Sequence, residues 1–413
     1  MIPKLQKTFS KLTSGETSKH LIKTYFVYGF IALSLIIIKI LIARLYGQEE
    51  LGIFTYFFSV VSLVFLFSSF GLSEAIAQLV IKDKEKLNSG IGWLIHYAVP
   101  FTIFFGLVTI VILRNTKFNP GIKWFDLAVI FYIVINLFSY TTTSILRGHK
   151  KFATASIYSL VQRALFIVFI VILYLLNWPF VYILFAMSLG LLITGLMAIP
   201  HIKKLNPMVQ KTVNGKKFFY LALSLFMVQT SFYSLRFIDA LMIQYLVNFK
   251  ELGLYSAYSS ITNGIRLVAY VFPAVIVPLA SVSSYKLKQS FKKLLIYLTP
   301  FSLLVLIVTF FGVPFFYGAD YNATYLPLAL VVASSLLVVY AYFNAIFVGE
   351  NKFSKFYIKI IGADLILSLG MNIGLNYWMI QKWGIIGAPI ATAVTIIFKI
   401  LVNLWGIKKL RKG

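Results

Sequence analysis

Long apolar runs alternate with short polar breaks along the whole chain. A bilayer core about 30 Å thick needs about 20 apolar residues in a spanning helix, and the chain contains twelve runs of that kind. The predicted helices are 24–46, 51–80, 91–113, 124–146, 154–176, 179–200, 217–246, 252–281, 293–313, 324–348, 356–379 and 384–406. This pattern predicts an all-α integral membrane protein with twelve transmembrane helices.

Lysine and arginine are distributed unevenly between the two sets of connections. The connections after odd-numbered helices carry Arg44, Arg114, Lys117, Lys123, Lys250 and Lys382. Most of the 38 basic residues lie in the termini and in the connections after even-numbered helices, here called the basic connections. Because basic loops stay on the inner side of a membrane, both termini are predicted to be cytoplasmic.

Short segments recur at an almost constant offset. "ELGIFTYFFSVVS" from Glu50 and "ELGLYSAYSSITN" from Glu251 are 201 residues apart, as are "RGHKKF" and "VGENKF", and "IKKL" ends each half of the chain. The repeat predicts two six-helix halves, 1–205 and 206–413. Since six is even, both halves face the same way, and a pseudo-two-fold axis along the membrane normal is expected to relate them.

The composition mainly excludes certain kinds of site and certain classes of protein. Hydrophobic residues make up 60% of the chain and charged residues 12%, against about 25% charged in soluble domains. With no cysteine, disulfides and thiolate metal sites are excluded. The sequence has no phosphate-binding loop and no histidines at metal-ligand spacing, and no Ser–His–Asp order coincides with an exposed turn. We therefore predict neither an enzyme nor a protein with a cofactor or metal, and the basic charge lies in short membrane-bound loops that do not suit a nucleic-acid partner.

Basic residues inside the predicted spans are the main candidates for function. An ionisable side chain at this depth usually faces a cavity or a partner. The predicted substrate-binding set, which would form a cationic cavity, is Lys39, Arg163, Arg236 and Arg266. A cationic site suits an anionic group such as a pyrophosphate, which Arg can bind through two hydrogen bonds. Alternatively, these four residues could lie inside the spans because they form structural contacts between helices. Lys359 and Lys399 are closer to helix ends and are predicted to extend to the headgroups.

Three acidic residues lie in the same spans. Asp239, Asp364 and Glu74 are candidates to bind a coupling ion, since a carboxylate in an apolar setting can take up a proton or a cation. Asp364 occupies the position equivalent to Arg163 under the 201-residue offset, so the two could meet or lie on either side of the cavity. Glu74 could instead pair with a nearby lysine.

The chain resembles Wzx-type polysaccharide flippases of the multidrug/oligosaccharidyl-lipid/polysaccharide exporter (MOP) superfamily, which also contains MATE drug exporters and the lipid II flippase. The resemblance rests on "ARLYGQEELGIFTYFFSVVSLVFLFSSFGLSEAIAQLV" from Ala43, "RFIDALMIQYLVNFKELGLYSAYSSI" from Arg236, and "RGHKKFATASIYSLVQRALF" from Arg147. It implies a MATE-like, V-shaped transporter in the bacterial inner membrane. It further implies a role in polysaccharide biosynthesis, such as that of O-antigen and lipopolysaccharide, beside a polymerase and a chain-length regulator.

The leading hypothesis is therefore a flippase that carries undecaprenyl-pyrophosphate-linked oligosaccharides from the cytoplasmic to the periplasmic leaflet by alternating access. Its partners would be this lipid-linked sugar and membrane lipid, and coupling to an ion, as in an antiporter, is expected. A MATE-like cation exporter is one alternative, against which the sign of the intramembrane charge argues. A membrane glycosyltransferase or polymerase of the same pathway is another, but the loops on the side opposite the basic connections are short.

Overall fold

The structure is a computed structural model, and it describes residues 16–72, 75, 94–116, 118, 120–148, 151–203, 215–282, 287–351 and 355–412. These residues form twelve α-helices. They are α1 Glu16–Leu45, α2 Gln48–Ser69, α3 Val99–Asn115, α4 Phe125–Gly148, α5 Phe152–Leu175, α6 Val181–Lys203, α7 Gly215–Leu246, α8 Phe249–Val282, α9 Leu287–Tyr317, α10 Leu326–Asn351, α11 Lys355–Trp383 and α12 Gly387–Lys412. The predicted all-α fold class is confirmed.

Several helices differ from their predicted limits, and α2 and α3 do so for local reasons. The second apolar run was predicted to be helical to residue 80, but α2 ends at Ser69, where Phe70 and Gly71 take φ values of 45° and 67°. Gly71 allows this left-handed turn because it has no Cβ. α3 is preceded by one π-helical turn, Leu94–Ala98. A 3-10 turn, Gly384–Ile386, separates α11 from α12.

The chain is a multi-pass membrane protein. Within the described residues, nine segments are long and apolar enough to cross a membrane, and one of them, Tyr357–Lys409, contains both α11 and α12. The outer helices expose large apolar side chains, such as Phe311 and Phe315 of α9 at 68% and 74%. That much exposed apolar surface is stable in lipid and not in water. Since α1 and α8 are not among the nine segments, the count of twelve spans stays a prediction.

Helices of the two predicted halves meet where α2 and α8 begin. Thr55 of α2 donates a hydrogen bond of 2.6 Å to the Ser256 hydroxyl of α8. These residues are 201 positions apart, the offset of the sequence repeat. Contacts between equivalent positions are what a two-fold axis produces. The division into halves at residue 205 and the axis itself stay predictions, which this contact supports.

A second link joins α1 to α9 on the same side of the protein. Arg44 donates hydrogen bonds of 2.8 and 2.7 Å to the backbone carbonyls of Phe316 and Phe315. The last carbonyls of a helix lack partners within the helix, so a cation placed there stabilises the end. The first and ninth helices are thereby fixed to each other at the ends far from the basic connections.

The opposite end of α2 contacts the start of α7. The Phe70 ring stacks on Phe226 of α7 with centroids 4.8 Å apart, and Phe67 contacts the same ring at 5.8 Å. Contacts at both ends of α2 therefore enclose the middle of the protein.

Candidate functional site

Three of the predicted basic residues form one group, here called the cationic group: Lys39 of α1, Arg236 of α7 and Arg266 of α8. Both arginines act on the Lys39 ammonium through their charge. Lys39 is 7% exposed and donates a long hydrogen bond, 3.4 Å, to the Ser256 carbonyl. Arg266 is 4% exposed and donates to the Ser334 hydroxyl at 3.2 Å. Three like charges in a buried place suit an anion.

Lys39 and Arg236 of the cationic group line a small enclosed space. Its lining is completed by the polar residues Thr55, Ser59, Tyr255 and Ser259 and by the apolar residues Phe54, Phe58, Phe237 and Ala240. Its volume is about 20 Å³, close to that needed by a single water molecule. A phosphate cannot enter this conformation, so anion binding requires these helices to separate.

A larger cleft lies directly beside this space. It measures about 300 Å³ and is lined from α2, α4 and α7 by Phe58, Ser62, Phe65, Leu66, Ser69, Tyr132, Asn136, Tyr140, Gln229, Tyr233 and Phe237. Phe58 and Phe237 line both spaces, and their rings meet edge to face at 6.4 Å. This aromatic pair therefore separates the cationic group from a cleft rich in tyrosine and side-chain amides.

Arg163, the fourth predicted basic residue, is placed on α5. It is half-buried, and its charge acts on the Tyr132 hydroxyl of the cleft wall. Its Nε atom is buried and has no hydrogen-bond partner among the described residues. Arg163 thus lies behind the cleft, while the other three lie beside it, and its part in substrate binding stays a prediction.

Asp239 lies at the centre of a separate polar group on α7, α8, α11 and α12. Thr392 donates to both carboxylate oxygens at 2.9 and 2.8 Å, Asn376 donates to one at 3.0 Å, and Tyr255 donates to the other at 3.2 Å. Asn372 hydrogen-bonds to both Asn376 and Thr392. We call these five residues the Asp239 group.

The Asp239 group provides oxygen ligands of the kind that hard cations prefer. The Asp239 carboxylate is fully buried and interacts electrostatically with Arg266. Within the described ranges, no three His, Cys, Asp or Glu side chains come together to hold a metal ion. One carboxylate among neutral amide and hydroxyl oxygens suits a monovalent cation or a proton better than a divalent metal.

Asp364 is paired with Lys399 rather than with Arg163. The Lys399 ammonium lies 2.7 Å from Asp364 Oδ2, and both side chains are buried. The prediction that Lys399 extends to the headgroups is therefore wrong: it is 0% exposed. The reason is a partner 35 positions earlier on α11, which holds the ammonium inside the bundle. Lys359, by contrast, is exposed, and its extension to the headgroups stays a prediction. Glu74, the third predicted coupling-ion residue, lies outside the described residues.

The sequence did not point to Tyr255, Asn372, Asn376 or Thr392. Neutral polar residues are common in membrane helices, so each alone carries little signal. A signal existed on α11, where Asp364, Ser368, Asn372 and Asn376 follow one another at steps of four residues. Residues four apart lie on one helix face. A polar stripe of this kind inside a membrane span predicts that this face points to the interior of the bundle.

The described residues form a membrane bundle in which a cationic group lies beside a cleft between α2 and α7. Residues 22–283 match the family described as "Polysaccharide biosynthesis protein". Because the match covers more than half of the chain, the protein belongs to this family. The resemblance found in the sequence is thereby confirmed at the level of this family.

The known relatives agree with this fold. A membrane protein of Methanocaldococcus jannaschii, described as uncharacterized, is 25% identical over 400 residues, covering 90% of this chain and 92% of that protein. The lipid II flippase MurJ in an inward closed conformation superposes with a TM-score of 0.67 at 18% identity, covering 94% and 87% of the two chains. An inward-facing MATE multidrug transporter gives 0.62 at 17% identity, covering 92% and 95%. A Pyrococcus furiosus MOP transporter, described by the "reverse polarity of binding pocket", gives 0.55 at 17% identity, with 94% of each chain covered.

Proposed function

We propose that the protein is a flippase that moves an undecaprenyl-pyrophosphate-linked oligosaccharide from the cytoplasmic to the periplasmic leaflet by alternating access. The single observation that carries the proposal is the convergence of Lys39, Arg236 and Arg266 beside a cleft between α2 and α7. The bacterial inner membrane would be its location, with both termini in the cytoplasm as the basic connections predict. A polymerase and a chain-length regulator would be its partners in polysaccharide assembly.

The cationic group would bind the pyrophosphate. Arginine matches phosphate oxygens with paired N–H donors, and lysine adds a point charge. The three side chains come from α1, α7 and α8, so both predicted halves would hold the same anion. An anion bound between the halves stabilises the conformation in which they are spaced to receive it. Binding and rearrangement are then linked.

The neighbouring cleft would hold the sugar. Tyr132, Tyr140 and Tyr233 present ring faces and hydroxyls, while Asn136 and Gln229 present both donors and acceptors. Such groups can pack on a sugar ring and hydrogen-bond to its hydroxyls. The prenyl chain needs no polar site and would stay in the surrounding lipid.

The Asp239 group would bind the coupling ion, a proton or sodium. Tyr255 supports a connection with cargo, because it donates to Asp239 and also lines the space beside Lys39 and Arg236. Movement of its ring would change both sites. Arg266 acts on Asp239 and on Lys39 through charge. A cation at Asp239 weakens the hold of that carboxylate on Arg266, which favours an anion at the cationic group.

A cation exporter with the same fold is the second candidate, and charge argues against it. The cationic group would repel a cationic drug at close range. A glycosyltransferase would need reacting groups at the sugar, and the cleft residues are tyrosines, amides, serines and apolar side chains. The family and fold are those of transporters.

Proteoliposomes containing a fluorescent polyprenyl-pyrophosphate oligosaccharide test the proposal directly. Transfer is measured as the change in the fraction of label that is protected from a reductant added outside the vesicles. The wild-type protein should transfer it, and the double variant Arg236→Gln/Arg266→Gln should lose transfer about tenfold or more, equivalent to at least about 1.4 kcal/mol in binding. Lys359→Gln is the matched control, since it removes an exposed cation from α11. Equal transfer by all three proteins would refute the proposal.

A further inference from the structure

A further group of polar side chains lies between α7, α10, α11 and α12, separate from the cleft and from the Asp239 group. We call it the inner file, and its members are Ser231, Tyr340, Asn344, Tyr357, Asp364, Ser368 and Lys399. Lys399 Nζ is 2.7 Å from Asp364 Oδ2, 2.5 Å from Ser231 Oγ and 3.1 Å from Ser368 Oγ. Every member is at most 2% exposed.

The inner file extends to the end of the bundle that bears the basic connections. Ser231 hydrogen-bonds to the Tyr340 hydroxyl at 3.2 Å, Asn344 donates to that hydroxyl at 3.0 Å, and Tyr357 donates to Asn344 at 3.3 Å. α11 begins at Lys355, so Tyr357 lies in its first turn. Asp364 lies nine residues from that end, about 14 Å at 1.5 Å per residue.

The other end of the inner file approaches the Asp239 group. Ser368 belongs to the file and Asn372 to the Asp239 group, and the two are four residues apart on α11. Residues at that spacing share a helix face about 6 Å apart. A polar path interrupted by one helical turn thus connects Asp239 with the basic end of the bundle.

Two oxygens along this path are buried without a hydrogen-bond partner among the described residues. They are Asp364 Oδ1 and Asn376 Oδ1. An unsatisfied acceptor is costly inside a membrane protein, and a small polar or cationic guest can satisfy it. Asp364 is informative, because one of its oxygens binds Lys399 and the other remains open to a guest.

We propose that the inner file is the route by which the coupling cation passes between Asp239 and the side of the basic connections, with the Asp364–Lys399 pair as its gate. This inference rests on the proposed role of Asp239 in binding that ion. An ion arriving at Asp364 Oδ1 would compete with the Lys399 ammonium. Lys399 has other partners in place, the Ser231 hydroxyl and the Tyr340 ring, whose centroid is 5.1 Å from Nζ.

This route runs inside the second predicted half and not through the cleft. The ion would therefore reach its site without sharing the path of the lipid-linked sugar. A stabilising role alone does not account for the pair well, since buried ion pairs contribute little compared with apolar packing.

Cysteine accessibility tests the route, because the chain contains no cysteine of its own. Ser368→Cys and Asn344→Cys place a thiol in the inner file, and Ser→Cys changes the side-chain size very little. Ala345→Cys is the matched control: it is 1% exposed on the same helix as Asn344 but lies in an apolar cluster. A thiol reacts as its thiolate, which requires water.

The full-length variants are placed in vesicles of known orientation and treated with a small ammonium methanethiosulfonate reagent. We expect both file cysteines to react about tenfold or more faster than Ala345→Cys. The reaction should be faster from the side of the basic connections, and sodium or protons should slow it. The proposal would be overturned if both file cysteines reacted no faster than Ala345→Cys in proteins that melt at the wild-type temperature.

Ion exchange gives a second readout with the double variant Asp364→Asn/Lys399→Gln. Radioactive sodium and an internal pH dye serve as the two probes. We expect exchange from the basic side to slow about tenfold, while the ion still raises the melting temperature by binding at Asp239. If the double variant exchanges ions as fast as the wild type, the Asp364–Lys399 pair is not the gate. If wild-type vesicles exchange ions but transfer no lipid-linked sugar, the proposed function fails while the thiol reactivities still decide the route.

Discussion

Gly52 of α2 and Gly253 of α8 occupy reciprocal positions. A Cβ on Gly52 would lie 1.8 Å from the Phe249 carbonyl oxygen, and a Cβ on Gly253 would lie 1.9 Å from the Gln48 carbonyl oxygen. Gln48 and Phe249 differ by 201 positions, as do the two glycines. Each helix therefore passes over the backbone of the other at an equivalent point, and only glycine permits that approach. The Thr55–Ser256 hydrogen bond lies one turn further along both helices.

Alanine at either glycine should weaken this crossing. No side chain can shift to make room, since the atoms in the way belong to the backbone. We expect Gly52→Ala and Gly253→Ala each to destabilise the protein by about 1–3 kcal/mol, the usual cost of overpacking, and to lower its melting temperature. Thermal unfolding followed by tryptophan fluorescence measures the effect.

Gly264→Ala is the control for that comparison, because Gly264 also lies on α8 and a Cβ there would meet nothing within 4 Å. It should leave stability unchanged or raise it by about 0.5–1 kcal/mol through the lower entropy of the unfolded chain. If the three variants melt alike, the crossing contributes nothing to stability.

Gly71 makes the corresponding contact at the other end of α2. It has φ 67°, and a Cβ would lie 2.4 Å from the Ala222 carbonyl oxygen of α7. Alanine there should loosen the closure near the basic connections, whereas alanine at Gly52 should loosen the opposite end. We expect the two variants to shift a single reporter cysteine at Gln229, in the cleft, in opposite directions. Labelling from each side of the membrane measures this, and shifts of equal sign would contradict it.

Much of this arrangement could be predicted from sequence, and the missing parts have physical causes. An apolar run of about 20 residues has few alternatives to a helix in lipid, so the helices were predictable, and the repeat aligned Gly52 with Gly253 in sequence. Lys399 was misplaced because its distance from a helix end gave no sign of Asp364. The Asp239 group could not be assembled from sequence, since Asn376 and Thr392 contact Asp239 from 137 and 153 positions away.

Asp239→Asn should separate ion dependence from transfer. The amide keeps the size of the side chain and can still hydrogen-bond to Thr392 and Asn376, but it removes the charge that attracts a cation. We expect the stimulation of transfer by an ion gradient to disappear, with slow downhill transfer remaining. The measurement is transfer in proteoliposomes with and without sodium or proton gradients.

Asp126→Asn is the control for Asp239→Asn. Asp126, in the first turn of α4, pairs at 2.8 Å with Arg114, whose side chain is 66% exposed, and neither residue belongs to a candidate site. An exposed pair contributes about 0–1 kcal/mol, so this variant should keep both stability and ion stimulation. Unchanged stimulation in Asp239→Asn would exclude the Asp239 group as the coupling site.

The buried pair of Lys399 and Asp364 allows a prediction that does not depend on transport. Lys399→Met leaves the Asp364 carboxylate buried without its counter-charge, and breaking such a pair costs about 3–5 kcal/mol. Removing both charges in Asp364→Asn/Lys399→Met leaves no charge uncompensated, and Ser231, which donates to Asp364 at 3.4 Å, can still hydrogen-bond to the new amide. We expect the single variant to melt well below the wild type and the double variant to recover most of the loss. A double variant as unstable as the single one would mean that Lys399 stabilises the bundle through its packing, not through its charge.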